Sequence, residues 1–137
     1  MVTDYFLKSI SEDIFKHQIT QIVPYEFYLG LSSTAPSVNG SGVTEPTDEA
    51  YHRARIINSE EIFGTADLST GMVSNHTAIY LPESTEEWPG ITHYVIYDSQ
   101  TGGNLLMYGA LNATMNVPIK TIVGIPVGDL KIKTSNV

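Results

Sequence analysis

Between Trp88 and Leu111 the chain reads W-P-G-I-T-H-Y-V-I-Y-D-S-Q-T-G-G-N-L-L-M-Y-G-A-L, and this stretch limits the possible folds more than any other. Ile91 to Tyr97 is dense in β-branched and aromatic residues, and Leu105 to Leu111 is a second apolar run of strand length. Asp98 to Asn104 supplies the small and polar residues of a turn, with Gly102 and Gly103 free to take positive φ. The pattern predicts a β-hairpin, a scaffold element that carries no catalytic machinery of its own.

Strand patterns continue on both sides of the hairpin. From Val23 to Leu31 every second residue is apolar (Val23, Tyr25, Phe27, Leu29, Leu31), the alternation of a half-buried strand. Further strands are predicted over 51–58, 72–81, 121–125 and 129–133, with Pro118 and Pro126 placing the last two at an edge or interrupting them. Only the opening segment has helical spacing. From about Asp4 to His17, Phe6, Leu7, Ile10, Ile14 and Phe15 recur at steps of three and four, and Thr3 or Asp4 can cap the helix. The expected fold is mainly β: a single β-sandwich or jelly-roll-like domain over 21–137, preceded by one N-terminal amphipathic helix within 1–20. Residues 32–50 hold two prolines, two glycines and no periodicity, so they read as a long connecting loop, flexible or functional.

Charge and cysteine content narrow the function classes. Fifteen carboxylates against seven Lys and Arg leave a formal charge of −8, which disfavours nucleic acid and anionic membranes as partners, since both need a cationic footprint. The acidic clusters at 45–49, 60–61 and 83–87 read as solvated surface. There is no cysteine, so disulfides, thiolate metal sites and cysteine nucleophiles are excluded. The first twenty residues lack the apolar core of a signal peptide and no run reaches membrane-spanning length, so synthesis in a cytoplasm without a leader is expected. The sequons at Asn39, Asn75 and Asn112 then carry no meaning.

Catalytic motifs are missing. No phosphate loop, H-E-x-x-H, G-x-S-x-G or EF-hand loop occurs. His17, His52, His76 and His93 have no ligand spacing, and Glu86-Glu87 point apart instead of facing each other across a cleft. No cofactor and no metal are expected. The candidate functional residues are of another kind. Trp88, in a loop beside Pro89, is the candidate glycan contact. Arg53 and Arg55, two apart on one strand, would bridge to carboxylates within the domain or on a neighbouring subunit. Phe6, Ile10 and Ile14 form the helix face that would attach or oligomerise the chain.

A series of short motifs then resembles a family of small tailed-bacteriophage virion proteins, of the tail fibre and head fibre type. In order they are Tyr28-Leu29-Gly30-Leu31 after the helix, the Pro- and Gly-containing loop Ser33 to Glu49, and Tyr51-His52-Arg53 with His52 in place of alanine. Val73-Ser74-Asn75, Ile79-Tyr80-Leu81-Pro82 and Trp88 follow. Thr92 to Asp98 and Gly102 to Leu111 match best. The C-terminal element departs from the family, reading Val127-Gly128-Asp129-Leu130 with Lys131 and Lys133 added. The resemblance implies a non-enzymatic component of the phage particle, a tail fibre, head fibre or capsid decoration protein. It would associate with itself as a homotrimer and with other tail or capsid proteins. A carbohydrate-binding module reading host-surface glycans is the alternative.

Overall fold

The computed structural model describes residues 1–16, 25–67 and 69–132. One helix, α1 (Asp4–Lys16), precedes eight strands: β1 (Glu26–Ser32), β2 (Ala54–Ile57), β3 (Val73–Ser74), β4 (Ile79–Tyr80), β5 (Trp88–Tyr97), β6 (Leu105–Val117), β7 (Gly124–Ile125) and β8 (Lys131–Ile132). The fold is therefore mainly β with antiparallel sheets and one N-terminal helix. Val23 and His17 lie outside the described residues.

The main sheet has the order β2-β1-β5-β6. The expected hairpin forms its β5–β6 half, with Gly102 at φ 58° and Gly103 at φ 73° in the turn. A side chain on Gly103 would press into Asp98 and Ser99, so the second glycine is required by space as well as by φ. Alternation in β1 puts Phe27, Leu29 and Leu31 into the larger apolar cluster with Ile56, Ile91, Ile96 and Leu106. Val95, Tyr97, Leu105 and Tyr108 form a second cluster, against which Tyr28, Val38 and Val43 pack. Residues 32–50 thus fold back on the sheet. Backbone bonds from Ser33 N to Thr44 O (2.9 Å) and from Ser37 N to Ser41 O (2.8 Å) close this loop on itself.

Both strands of the hairpin are longer than the sequence indicates. β5 starts at Trp88, through Pro89 and Gly90, and β6 runs on through Asn112–Asn116 to Val117. Asn112 and Asn116 read as connector residues because an exposed strand needs no apolar alternation. The register is also uneven: Ile91 faces Met115 and His93 faces Ala110, so β6 arches outward between them.

The 72–81 segment and the C-terminal segment each break in two and pair with each other as two short ribbons, β3 with β8 and β4 with β7. Asn75 fills the break. Its fully buried amide donates to Thr77 O (2.9 Å) and Pro126 O (3.0 Å), and its Oδ1 accepts from Gly128 N (3.1 Å) and Leu130 N (2.9 Å). One side chain replaces the backbone ladder where the chain bends, satisfying groups that would be costly to bury unpaired.

The N-terminus completes the edge of the main sheet. Val2 bridges to Met107, Thr3 N donates to Leu106 O (2.9 Å) and Tyr108 N donates to Met1 O (2.9 Å). Thr3 is the helix cap: its Oγ1 accepts from Phe6 N (3.4 Å) and its carbonyl from Leu7 N (3.0 Å).

Candidate functional site

The polar residues that matter gather where the 45–53 segment crosses the ends of β1 and β5. Arg53 is buried. Its Nε and one terminal nitrogen grip both oxygens of Glu45, each at 2.9 Å, and its other terminal nitrogen donates to Ser99 O and Gly102 O, each at 2.8 Å. The guanidinium also lies over the Tyr97 ring, 3.5 Å from its centroid. A planar fork with five donors is the group that can join a carboxylate, two turn carbonyls and an aromatic face at once. Tyr51 completes the cluster, its hydroxyl donating to Glu45 Oε1 (2.7 Å) and accepting from Leu31 N (3.1 Å). Burial, with the Glu45 charge beside it, pushes the Tyr51 phenol well above its ordinary range.

Tyr51 also links this cluster to Trp88, edge to face at 5.4 Å. Trp88 is only 1% exposed, and its Nε1 donates to Asp48 Oδ2 (3.0 Å). Asp48 accepts four further bonds, from Thr85 Oγ1, Thr85 N, Glu86 N and Ala50 N. Desolvation works to raise the Asp48 carboxyl, yet the bonds from Thr85, Glu86, Ala50 and Trp88 outweigh it and hold the group far below the usual carboxylate range.

An Asp carboxyl held below its unfolded value of about 3.9 contributes stability that is complete above that pH and is lost as pH falls toward the folded value. The denaturant midpoint of the chain is therefore expected to fall between about pH 4 and pH 2. Asp48→Asn, measured by urea unfolding across this range, should start lower at neutral pH and show a flatter decline.

Arg53 makes its bonds within the chain. Arg55, though in phase with Arg53 along the chain, is exposed and pairs with Glu26, because the 98–104 turn and Glu45 cover only Arg53. Trp88 is not in a loop and cannot be the glycan contact: as the first residue of β5 it lies in the apolar cluster, without an open face for a sugar ring. Phe6 is buried and Ile10 packs against the core, whereas Ile14 is 61% exposed. The predicted helix face is thus divided, its first part in the core and its last part, with Phe15 at 84% exposed, in solvent. Among the described residues no three of the His, Asp and Glu side chains gather closely enough to hold a metal ion, and no helix is long and apolar enough to cross a membrane.

Glu45, Asp48 and Asn75 were missed as anchors. Glu45 and Asp48 read as solvated because they sit in an acidic run, and no local signal in the sequence marks them as partners of Arg53 and Trp88. A small cleft of about 190 Å³ opens at Glu45, Pro46, Tyr51, His52, Arg53, Gln100 and Thr101. The bonds of Glu45, Tyr51 and Arg53 run to each other and to backbone, so the arrangement fastens three segments together and offers no poised acid, base or nucleophile.

Residues 2–133 match the model of the family described as Podophage GP4 fiber I protein gp80. The chain belongs to this family. It is a bacteriophage fibre-type virion protein, and the motifs that form its sheet, its Asn75 bridge and its Arg53 anchor fall within the matched residues. No curated protein matches it.

Proposed function

We propose that this fibre protein is a non-enzymatic structural component of the particle that associates with itself as a trimer and attaches to the tail or capsid. The observation that carries this reading is the family match across residues 2–133. The inward-turned polar clusters support it, because buried acid and base groups that bond each other stiffen a scaffold and are poorly placed for catalysis. Repeated weak contacts gain from symmetry, since the second and third contacts act at high effective concentration. The exposed end of α1, with Ile14 and Phe15, is the attachment element.

Two measurements test this. Native mass spectrometry of the purified chain should give three copies, and a monomer at every concentration would refute self-association. Quantitative mass spectrometry of purified particles should find the chain at a fixed ratio to the tail or capsid proteins. Its absence from intact particles would refute attachment.

A further inference from the structure

We propose that the uncharged outer face of β6, from Gly109 to Asn116, together with the groove beside it, is the surface through which one copy of this chain docks on another. The inference rests on the self-association proposed above and assigns it a place. β6 is the last strand of the main sheet. Its first part is already covered, because Met1, Val2 and Thr3 lie along Leu105–Tyr108. Beyond Tyr108 the strand has no neighbour on its outer side among the described residues, and it arches away from β5 between Ala110 and Met115.

Exposed strand edges are normally guarded by charges or prolines, and here neither is present. No charged residue lies between Asp98 and Lys120, the longest such interval in a chain with 22 charged residues, seven basic and fifteen acidic. The exposed side chains of the arch are those of Ala110, Asn112, Ala113, Thr114 and Asn116. Beside it runs a groove of about 440 Å³ whose lining is mostly apolar, with Leu111, Met115, Val123, Ile125 and Leu130, and carries one charge of each sign, Asp129 and Lys131. Ile122 and Val127, next to these lining residues in the chain, are more than half exposed and extend the apolar surface.

Charge selects the occupant. Two copies at −8 each repel across most of their surface, whereas the arch carries no charge and the groove beside it carries only Asp129 and Lys131, one of each sign, so two copies can approach here with little net repulsion. A standard interface covers about 800 Å² on each partner, roughly a tenth of the 8167 Å² surface of this chain.

The test compares the full chain with Ala110→Glu and Ala113→Lys, each at an exposed position, by native mass spectrometry and far-UV circular dichroism. The expected result is an oligomer for the unaltered chain and monomers with an unchanged spectrum for both variants. Hydrogen exchange of the unaltered chain supplies a reading that needs no variant: amides of 109–116 should be protected at high concentration and lose that protection at least tenfold on dilution. Variants that stay oligomeric, or amides whose exchange ignores concentration, would overturn the placement while leaving self-association standing. An unaltered chain that is always monomeric would overturn both.

Discussion

Trp88→Ala is expected to destabilise the chain by about 3–5 kcal/mol, the usual loss for removing a large buried aromatic. The indole is the largest of the fully buried side chains among the described residues, and three losses coincide on its removal. A cavity opens in the larger cluster, the Tyr51 ring loses its edge-to-face partner, and Asp48 Oδ2 loses a buried donor. For a chain of this size the melting temperature should drop by roughly 10–20 °C. Trp88→Phe restores most of the volume and none of the hydrogen bond, so it should fall between the two. Thermal unfolding followed by circular dichroism reads both. A Trp88→Ala protein that melts within about 2 °C of the unaltered chain, less than a 1 kcal/mol change would produce, would contradict the buried position. It would also reopen the surface role that the sequence suggested for this residue.

Arg53→Ala should cost about 2–3 kcal/mol, because part-buried turn carbonyls lose their donor while Glu45, with 24% of its side chain exposed, can take water in place of the guanidinium. Glu45 would keep only the Tyr51 hydroxyl, and the carbonyls of Ser99 and Gly102 would lose their shared donor. Arg53→Lys keeps the charge without the fork, so it can serve the carboxylate or the turn but not both. It should recover less than half of the loss. The effect should also be local in a way that the Trp88 effect is not. Hydrogen exchange in Arg53→Ala should speed up in the 98–104 turn before it does so in β1. If Arg53→Ala left both stability and turn exchange unchanged, the anchor would have no energetic role.

The parts of the fold that were legible in advance are those in which neighbouring residues decide the outcome. Gly102-Gly103 specifies its turn by φ, Phe27, Leu29 and Leu31 declare a buried face by alternation, and Thr3 caps the helix from the chain position next to it. The parts that were not legible depend on distant partners. Arg53 and Arg55 look equivalent in sequence, and only the turn 46 residues further on distinguishes the buried one from the exposed one. Trp88 looked exposed because Pro89 and Gly90 imitate a loop. Asp48, more than thirty residues away, supplies the acceptor that lets the indole be buried. The continuation of β6 through Asn112 was hidden because its outer residues are neither apolar nor alternating.

The Asn75 bridge also bears on how the molecule comes apart. The amide ties the 73–80 segment to residues 126–130, a separation of more than fifty residues closed by one side chain. The β5–β6 hairpin needs only a short turn to form, while β3–β8 and β4–β7 must wait for the chain to return from a long excursion. The two ribbons share this bridge, so they should open together, as a single low-energy unit beneath global unfolding. In a particle that must survive outside a cell, this C-terminal pairing is where proteases would first gain entry.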